Sequence, residues 1–309
     1  MAPTSAKHRT QIRNGFRLAG KLLLGFLTIV CASWLAIVET SAQDSDPVKT
    51  ETQRTVASLN TKLKEVNQST SRDAELQAQC RVNCSNAKLQ AEMANLKAQR
   101  LRASNELIAQ IHGAVNAYII STANGSLSEN NRNRVEQDLK QILGETAVAE
   151  PASFLLDSPQ GRALIVFYPI GAGTAMTSST SLRAYRVSGK HFKLAGTTGS
   201  DMDSYGNLWA KQLHSPELPA ELWLLVGGQA LGANGPNIRM FRMRIYVYNG
   251  EKFATKWMPA NVWGSFTITV TRNGFRVDGP YYQQENKERH DSYLVAPDGL
   301  YLCRPRQCE

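Results

Sequence analysis

The feature that most constrains this chain is an uninterrupted helix-forming segment. From Val48 to His112 the sequence contains no glycine and no proline, and alanine, leucine, glutamine, lysine and glutamate predominate. These residue types have high helix propensity. The preceding Asp46-Pro47 is typical of a helix start, because aspartate caps the first turn and proline fits the first helical position. One continuous helix of this length would measure about 98 Å.

The apolar residues of this segment form a narrow stripe, as in a coiled-coil seam. They recur in steps of three and four at Val56, Leu59, Leu63 and Val66, and a second series runs from Val82 to Leu107. A helix this long needs a partner for its stripe. We therefore expect residues 43–125 to form a coiled coil that drives homo-oligomerisation. The alternative is a helix that lies on the globular domain.

A polar run interrupts the stripe between Asn67 and Asp73. It is either a turn between two antiparallel helices or a weak point in one rod. A shorter helix and a linker follow over residues 126–150, with Ser128 as a cap and Gly144 as the C-terminal stop.

The N-terminal segment, residues 1–42, has the order of an export signal. Five basic residues precede Leu22–Val38, an apolar run without any charged residue. Thr40-Ser41-Ala42 supplies small residues for cleavage, so a cleaved signal peptide and an uncleaved transmembrane signal anchor are both open. Both predict that residues 43–309 lie outside the cytoplasm, in the periplasm, on the cell surface or in the medium.

The net charge of +9 does not indicate a nucleic-acid-binding protein. Residues 1–42 contribute +4, which leaves only +5 over the rest of the chain. Such a weak excess, on a chain predicted to be exported, excludes nucleic acid as the expected partner.

From residue 151 to 309 the hydrophobic period changes from 3.6 to 2. Short segments rich in valine, isoleucine, tyrosine and phenylalanine alternate with turn signals at Asn249-Gly250, Asn273-Gly274 and Pro297-Asp298-Gly299. This pattern predicts an antiparallel all-β domain. The expected fold class is therefore α+β, with the helical region first and the β domain last.

Two parts of this domain align with each other as an internal repeat. Leu182–Lys193 matches Met243–Ala254 at four of twelve positions, and the turn glycines Gly189 and Gly250 coincide. The phrase Tyr-x-Tyr-Asn-Gly-x-x-Phe at 246–253 is similar to phrases in β-propeller repeats. The resemblance covers roughly 120 residues and implies meanders like propeller blades. A β-sandwich whose halves are duplicated is the alternative.

Four cysteines lie outside the apolar N-terminal segment. We expect two disulfides among Cys80, Cys84, Cys303 and Cys308, since an even number of cysteines in an exported chain favours pairing. Local pairs and cross-pairs between the helix and the C-terminus are both open. A zinc site is disfavoured, because these spacings are unusual for structural zinc.

No catalytic signature is present in the sequence. The H-E-x-x-H, G-x-S-x-G and phosphate-loop motifs are all missing, and we expect no cofactor. Asp201 and Asp203 begin a pattern like a calcium loop, but Tyr205 and Gln212 depart from it, so no metal site is expected. Gly227-Gly228 after a strand more simply permits a bend of the strand or close packing.

Aromatic residues near strand ends either fill the core or serve as candidate ligand contacts, because flat apolar rings bind sugars and peptide strands. They are Tyr205, Trp209, Trp257, Trp263, Tyr281 and Tyr282. We expect a non-enzymatic binding protein that presents a β domain on a helical stalk to a protein or glycan of the cell envelope. The alternatives are a periplasmic or cell-surface hydrolase and a structural spacer.

Overall fold

The structure is a computed structural model with four α-helices, one short 3₁₀-helix (Gly144–Thr146) and thirteen strands in its described part. It describes residues 46–68, 71–83, 85–122, 127–171, 179–198, 206–214, 220–231, 239–257, 262–263, 267–280, 288–296 and 299–303. The predicted signal or anchor, residues 22–38, lies outside them. None of the helices in these ranges is both long enough and apolar enough to span a membrane.

The helices precede the strands, and this segregation is that of an α+β fold. They are α1 (Pro47–Asn67), α2 (Ser71–Asn83), α3 (Ala87–Thr122) and α4 (Glu129–Leu143). Side chains cap the first turns of α3 and α4. Asn86 Oδ1 accepts from the backbone N–H of Lys88 at 3.0 Å, and Ser128 Oγ accepts from that of Asn131 at 3.3 Å. The predicted stop at Gly144 is confirmed, with φ at +46°.

Helices α1 and α2 both run antiparallel to α3 of the same chain. At one end of α1, Asn67 Oδ1 accepts a hydrogen bond from Ser104 of α3 at 3.0 Å. In α2, Asp73 pairs with Arg100 of α3 at 2.9 Å. The polar run after Asn67 is therefore a break between two helices that follow the same direction, and the chain reverses only after α2.

The structure does not confirm the predicted coiled coil between chains. Val56, Leu59 and Leu63 of α1 are buried in a core shared with α3, α4 and the first β-sheet. The stripe is therefore covered within one chain, which corresponds to the alternative of a helix lying on the globular domain. The physical reason is that the reversal before α3 brings a second apolar surface against α1.

The strands form three antiparallel four-stranded meanders in chain order. Sheet 1 contains β1 (Ala152–Ser158), β2 (Gly161–Ile170), β3 (Ser179–Ser188) and β4 (His191–Thr197). Sheet 2 contains β5 (Gly206–Leu213), β6 (Leu222–Leu231), β7 (Arg239–Tyr248) and β8 (Phe253–Trp257), and β9 (Val262–Trp263) pairs with β7. Sheet 3 contains β10 (Thr267–Thr271), β11 (Gly274–Pro280), β12 (Glu288–Ala296) and β13 (Gly299–Cys303).

The helices and sheets are stacked as successive layers. In β2, alternate residues such as Leu164 and Val166 face the helices, whereas Ile165 and Phe167 face sheet 2. A third core joins the far side of sheet 2 to sheet 3, for example through Trp223 and Phe275. Because β2 is covered on both faces, its sequence is a continuous apolar run and not an alternating one.

Sheets 1 and 2 share their hairpin geometry. Val187 is opposite Phe192 in sheet 1, and Tyr248, which aligns with Val187 in the sequence comparison, is opposite Phe253 in sheet 2. Both third strands carry a register shift at equivalent places, between Ala184 and Tyr185 and between Ile245 and Tyr246. The two sheets thus have equivalent hairpins at the offset of the aligned sequences.

The turn at Asn273-Gly274 differs from the expected one. The two turn residues are Arg272 and Asn273, because Thr271 already pairs with Gly274. Gly274 begins β11 and lies opposite Leu294 of β12. Gly274 allows β11 and β12 to approach each other closely. Because this contact requires the glycine inside β11, the turn lies one residue earlier in the chain than expected.

Candidate functional site

A row of polar side chains lies on β3, on the face turned toward the helices. Residues at alternate positions of a strand share one face. On β3 these residues are Ser179, Ser181, Arg183 and Tyr185, which lie opposite Ile170, Tyr168, Val166 and Leu164 of β2, respectively. Together with Tyr168 of β2 and His112 of α3, these β3 residues form a group that we call the internal polar strip. Its members are His112, Tyr168, Ser179, Ser181, Arg183 and Tyr185.

Helix α3 brings His112 onto this strip. Its Nε2 lies 3.3 Å from Ser179 Oγ, and its ring lies 5.3 Å from that of Tyr168, centroid to centroid. Arg183 donates from Nε to Ser181 Oγ at 3.0 Å, and its guanidinium carbon lies 5.9 Å from the centre of the Tyr168 ring. The strip therefore joins an imidazole, two hydroxyls, two phenols and a guanidinium.

Burial perturbs the titration of these groups. Burial, together with the positive charge of Arg183, lowers the pKa of His112 to about 3. It raises the pKa of Tyr168 to about 12, an effect that Arg183 opposes. The pKa of Tyr185 is also raised well above its usual value, chiefly by burial. At neutral pH, His112 is therefore uncharged and both phenols keep their protons.

Three polar atoms of the strip lack a hydrogen-bond partner among the described residues. They are His112 Nδ1, Tyr168 OH and Tyr185 OH. Arg183 and the other phenol are close enough to each tyrosine to act on its pKa, but no contact of either hydroxyl has hydrogen-bond geometry. Both tyrosines have no exposed surface, and His112 is only 8% exposed. Because a buried polar atom without a partner costs roughly 1–3 kcal/mol, this group reduces the stability of the fold.

The strip does not have the properties of a hydrolytic site. His112 and Ser179 resemble a base and its nucleophile, but a general base works best with a pKa near the operating pH. A pKa of about 3 makes His112 a weak base at neutral pH. In the part of the chain that the structure describes, no carboxylate accepts from its Nδ1.

A second polar group lies on the far side of sheet 3. Ile268, Phe275, Val277 and Val295 face sheet 2, so the alternate residues of the same strands point away from it. We call this surface the outer face. Its polar members are Thr267, Thr269, Arg276, Asp278, His290 and Ser292.

Asp278 organises the outer face. Its Oδ1 lies 2.8 Å from His290 Nδ1 on the neighbouring strand, and its Oδ2 accepts from Arg276 Nε at 2.8 Å. These hydrogen bonds, first from His290 and then from Arg276, hold the pKa of Asp278 below its usual value. Cross-strand pairing places Arg276 opposite Ser292 and Asp278 opposite His290. The result is an ordered, solvent-facing array of charges and hydroxyls.

Of the six aromatic candidates, Trp209 is the one whose side chain the structure describes. It is half-buried on the side of sheet 2 that packs against sheet 3. Lys211 Nζ lies 5.7 Å from the ring centroid and donates to the carbonyl of Ile268 at 2.9 Å. Much of the ring therefore packs within the chain itself.

The remaining candidates are placed only in part. The backbones of Trp257 and Trp263 lie at the end of β8 and in β9, while Tyr205, Tyr281, Tyr282, Asp201 and Asp203 lie outside the described residues. Cys80 of α2 is disulfide-bonded. Cys303 ends β13, and Cys84 and Cys308 are outside the described ranges.

The expectation that Gly227 permits close packing is confirmed. A Cβ atom at Gly227 would lie 2.2 Å from Cζ2 of Trp209. We expect Gly227→Ala to displace the Trp209 ring and to destabilise the chain by about 1–3 kcal/mol, as overpacking does. Urea unfolding and the near-ultraviolet circular dichroism of the tryptophans measure both effects.

Gly196→Ala is the matched control for this variant. Gly196 is also a strand glycine, but an added Cβ would meet its neighbours at 3.6 Å or more, an ordinary van der Waals distance. The packing explanation is wrong if the two variants lose equal stability and leave the tryptophan signal unchanged.

Sequence reasoning missed both polar groups. The charged segment Glu285–Asp291 indicates a solvated loop from its composition alone, yet β12 begins at Glu288 and pairs His290 with Asp278. For the internal polar strip a signal existed: Ser179, Ser181 and Arg183 alternate along a strand. That alternation normally indicates a solvent-facing side, and only the packing of α3 shows that this side is internal.

No family model, no curated protein and no solved structure matches this chain.

Proposed function

We propose that this chain is a non-enzymatic interaction protein that works outside the cytoplasm. The outer face of sheet 3 would bind a protein or glycan of the cell envelope. The observation that carries this proposal is the contrast between sheet faces. Both faces of sheets 1 and 2 are covered by neighbouring layers, whereas Arg276 and His290 of the outer face are exposed.

The geometry of the outer face suits polar recognition. Asp278 fixes the orientations of Arg276 and His290, so a partner meets side chains that are already ordered. Preordered groups lose less conformational entropy on binding. The chemistry of the face, with one guanidinium, one imidazole and several hydroxyls, matches hydroxyl-rich glycans and polar peptide surfaces.

Three further features belong to the same proposal. Residues 22–38 would export the chain or anchor it. Sheets 1 and 2 would derive from a duplicated unit, which their equivalent bulges and hairpin registers support. The disulfide at Cys80 fits an oxidising compartment, with Cys84 and the C-terminal cysteines as candidate partners. A homo-oligomer would form through helix surfaces that remain exposed, such as that around Val82.

Photo-crosslinking in cells tests the proposed binding surface. We expect a photoreactive amino acid at Thr269, at the centre of the outer face, to give one discrete adduct, sensitive to either protease or glycosidase according to the partner. The control carries the same photoreactive amino acid at Lys190, an exposed residue of the β3–β4 hairpin. Arg276→Ala in the Thr269 background should weaken the adduct.

Two results would overturn the proposal. One is equal crosslinking from both positions, or from neither. The other is complete protection of the chain from an external protease, both in intact cells and in cells whose outer layers are opened, followed by digestion after lysis. That second result would place the β domain in the cytoplasm.

A further inference from the structure

The internal polar strip combines buried hydrogen-bond donors that no described residue satisfies. The hydroxyls of Tyr168 and Tyr185 are fully buried and have no partner among the described residues. Native proteins rarely leave such groups unpaired, and each exception calls for an explanation. Two such phenols on adjacent strands, near enough to act on each other's titration, indicate a shared missing acceptor.

The charge of the strip indicates what that acceptor is. Arg183 lies on the same strand face as Tyr185 and over the Tyr168 ring. Its side chain donates to Ser181, a neutral hydroxyl, and among the described residues no carboxylate pairs with it. Its positive charge reaches His112, Tyr168 and Tyr185, since it acts on the titration of all three. The site is therefore electropositive and rich in donors.

We propose that the internal polar strip binds a small oxyanion, a carboxylate or phosphate group, between α3 and β3. Arg183 would supply the countercharge, and the hydroxyls of Tyr168 and Tyr185 would donate hydrogen bonds to the anion's oxygens. Hydrogen bonds to a charged acceptor are stronger than neutral ones, and burial strengthens them further. This site is separate from the outer face and does not depend on the function proposed above.

The site also explains why the fold tolerates unpaired hydroxyls. Residues that serve binding often reduce the stability of the protein without its ligand. Removal of such a hydroxyl should therefore leave the ligand-free protein at least as stable, whereas removal of an ordinary buried hydroxyl should not. Tyr248 provides that comparison, because its buried hydroxyl donates to the carbonyl of Gly250 at 3.0 Å.

Thermal unfolding of the full chain tests the proposal with two probes, sodium acetate and sodium phosphate, against sodium chloride at matched ionic strength and pH 7.5. We expect a saturable rise in Tm with at least one probe, because a ligand that binds only the folded state stabilises it. Acetate alone would indicate a carboxylate ligand, and phosphate alone a phosphate ligand.

Three variants locate the effect. Tyr168→Phe should weaken the apparent affinity for the anion about tenfold or more while the ligand-free Tm stays equal or rises. Arg183→Gln should abolish the response. Tyr248→Phe should lower the ligand-free Tm and keep the full anion response.

The proposal is overturned by either of two outcomes. In the first, the wild-type chain shows no saturable shift with acetate or with phosphate, which leaves the strip without an anion. In the second, Tyr168→Phe and Arg183→Gln, if folded, respond as the wild type does, which means that the anions act elsewhere. If Arg183→Gln does not fold, Tyr168→Phe and Tyr248→Phe still decide between the two explanations.

Discussion

Mild acid should destabilise this protein through one side chain, His112. Burial lowers the pKa of His112 to about 3 in the folded state, whereas the unfolded chain has a value near 6.5. Between these values the unfolded state binds more protons than the folded state. The free energy of unfolding therefore rises with pH, and this contribution is lost as pH falls from about 6.5 toward 3.

The expected slope is about 1.4 kcal/mol per pH unit inside that window. Urea unfolding at pH 7.5, 6.0 and 5.0 measures it. Asp157, Glu145 and Asp278 have pKa values below their usual range because of basic partners, so their stabilising contributions are lost at lower pH, from about 4 downward. Measurements at pH 5 and above thus avoid the titration of these carboxylates, and the histidine variants identify the contribution of His112.

A pair of histidine variants completes this experiment. His112→Gln should flatten the dependence between pH 7.5 and 5.0, because no group then takes up a proton on unfolding at that position. His191→Gln, at an exposed position at the start of β4, is the control and should keep the slope of the wild-type chain. Parallel curves for the wild-type chain and His112→Gln would contradict the assignment of the effect to His112.

Gly274→Ala should destabilise sheet 3 by about 3 kcal/mol, near the upper end for overpacking. A Cβ at Gly274 would lie 1.9 Å from the backbone oxygen of Tyr293 and 3.2 Å from Cα of Leu294. Backbone atoms of a paired strand cannot move aside as a flexible side chain can. The pairing of β11 with β12 must therefore shift. Urea unfolding measures the loss, and hydrogen exchange should show it in β10–β13.

Replacement of Gly113 by alanine should instead increase the stability of the chain. Gly113 lies within α3, and nothing is within 4 Å of an added Cβ. Alanine is favoured over glycine inside a helix by about 0.8–1.0 kcal/mol, so Gly113→Ala should stabilise the chain. A loss of stability in both variants would refute the steric explanation and indicate that any change from glycine is harmful.

Local sequence patterns predicted the order of helices and strands well. Periodicity marked the change from the helical region to the antiparallel β region, and Ser128 and Gly144 marked the ends of α4. These features depend on residues close together in the chain, such as a side chain and the N–H three positions away. The number of sheets and their stacking depend on distant contacts, and the sequence left a sandwich and blade-like meanders both open.

The candidate sites required contacts between distant segments. Asp278 and His290 are twelve residues apart, and they meet because β11 pairs with β12 in one register. His112 and Ser179 are 67 residues apart and meet because α3 packs on sheet 1. No spacing rule connects such residues, so the motif search of the sequence could not find either pair.

The sequence by itself determined the order and type of most helices and strands of this protein, because helix propensity, capping and period-two alternation act over a few residues. Only the tertiary structure decided what covers each surface. The stripe of α1 could meet another chain or its own, and the reversal before α3 favoured its own. The alternating polar residues of β3 predict a solvent-facing side, but in the folded chain α3 packs over that side. Burial is a property of the whole fold, and it turned Tyr168 and Tyr185 into candidate binding groups.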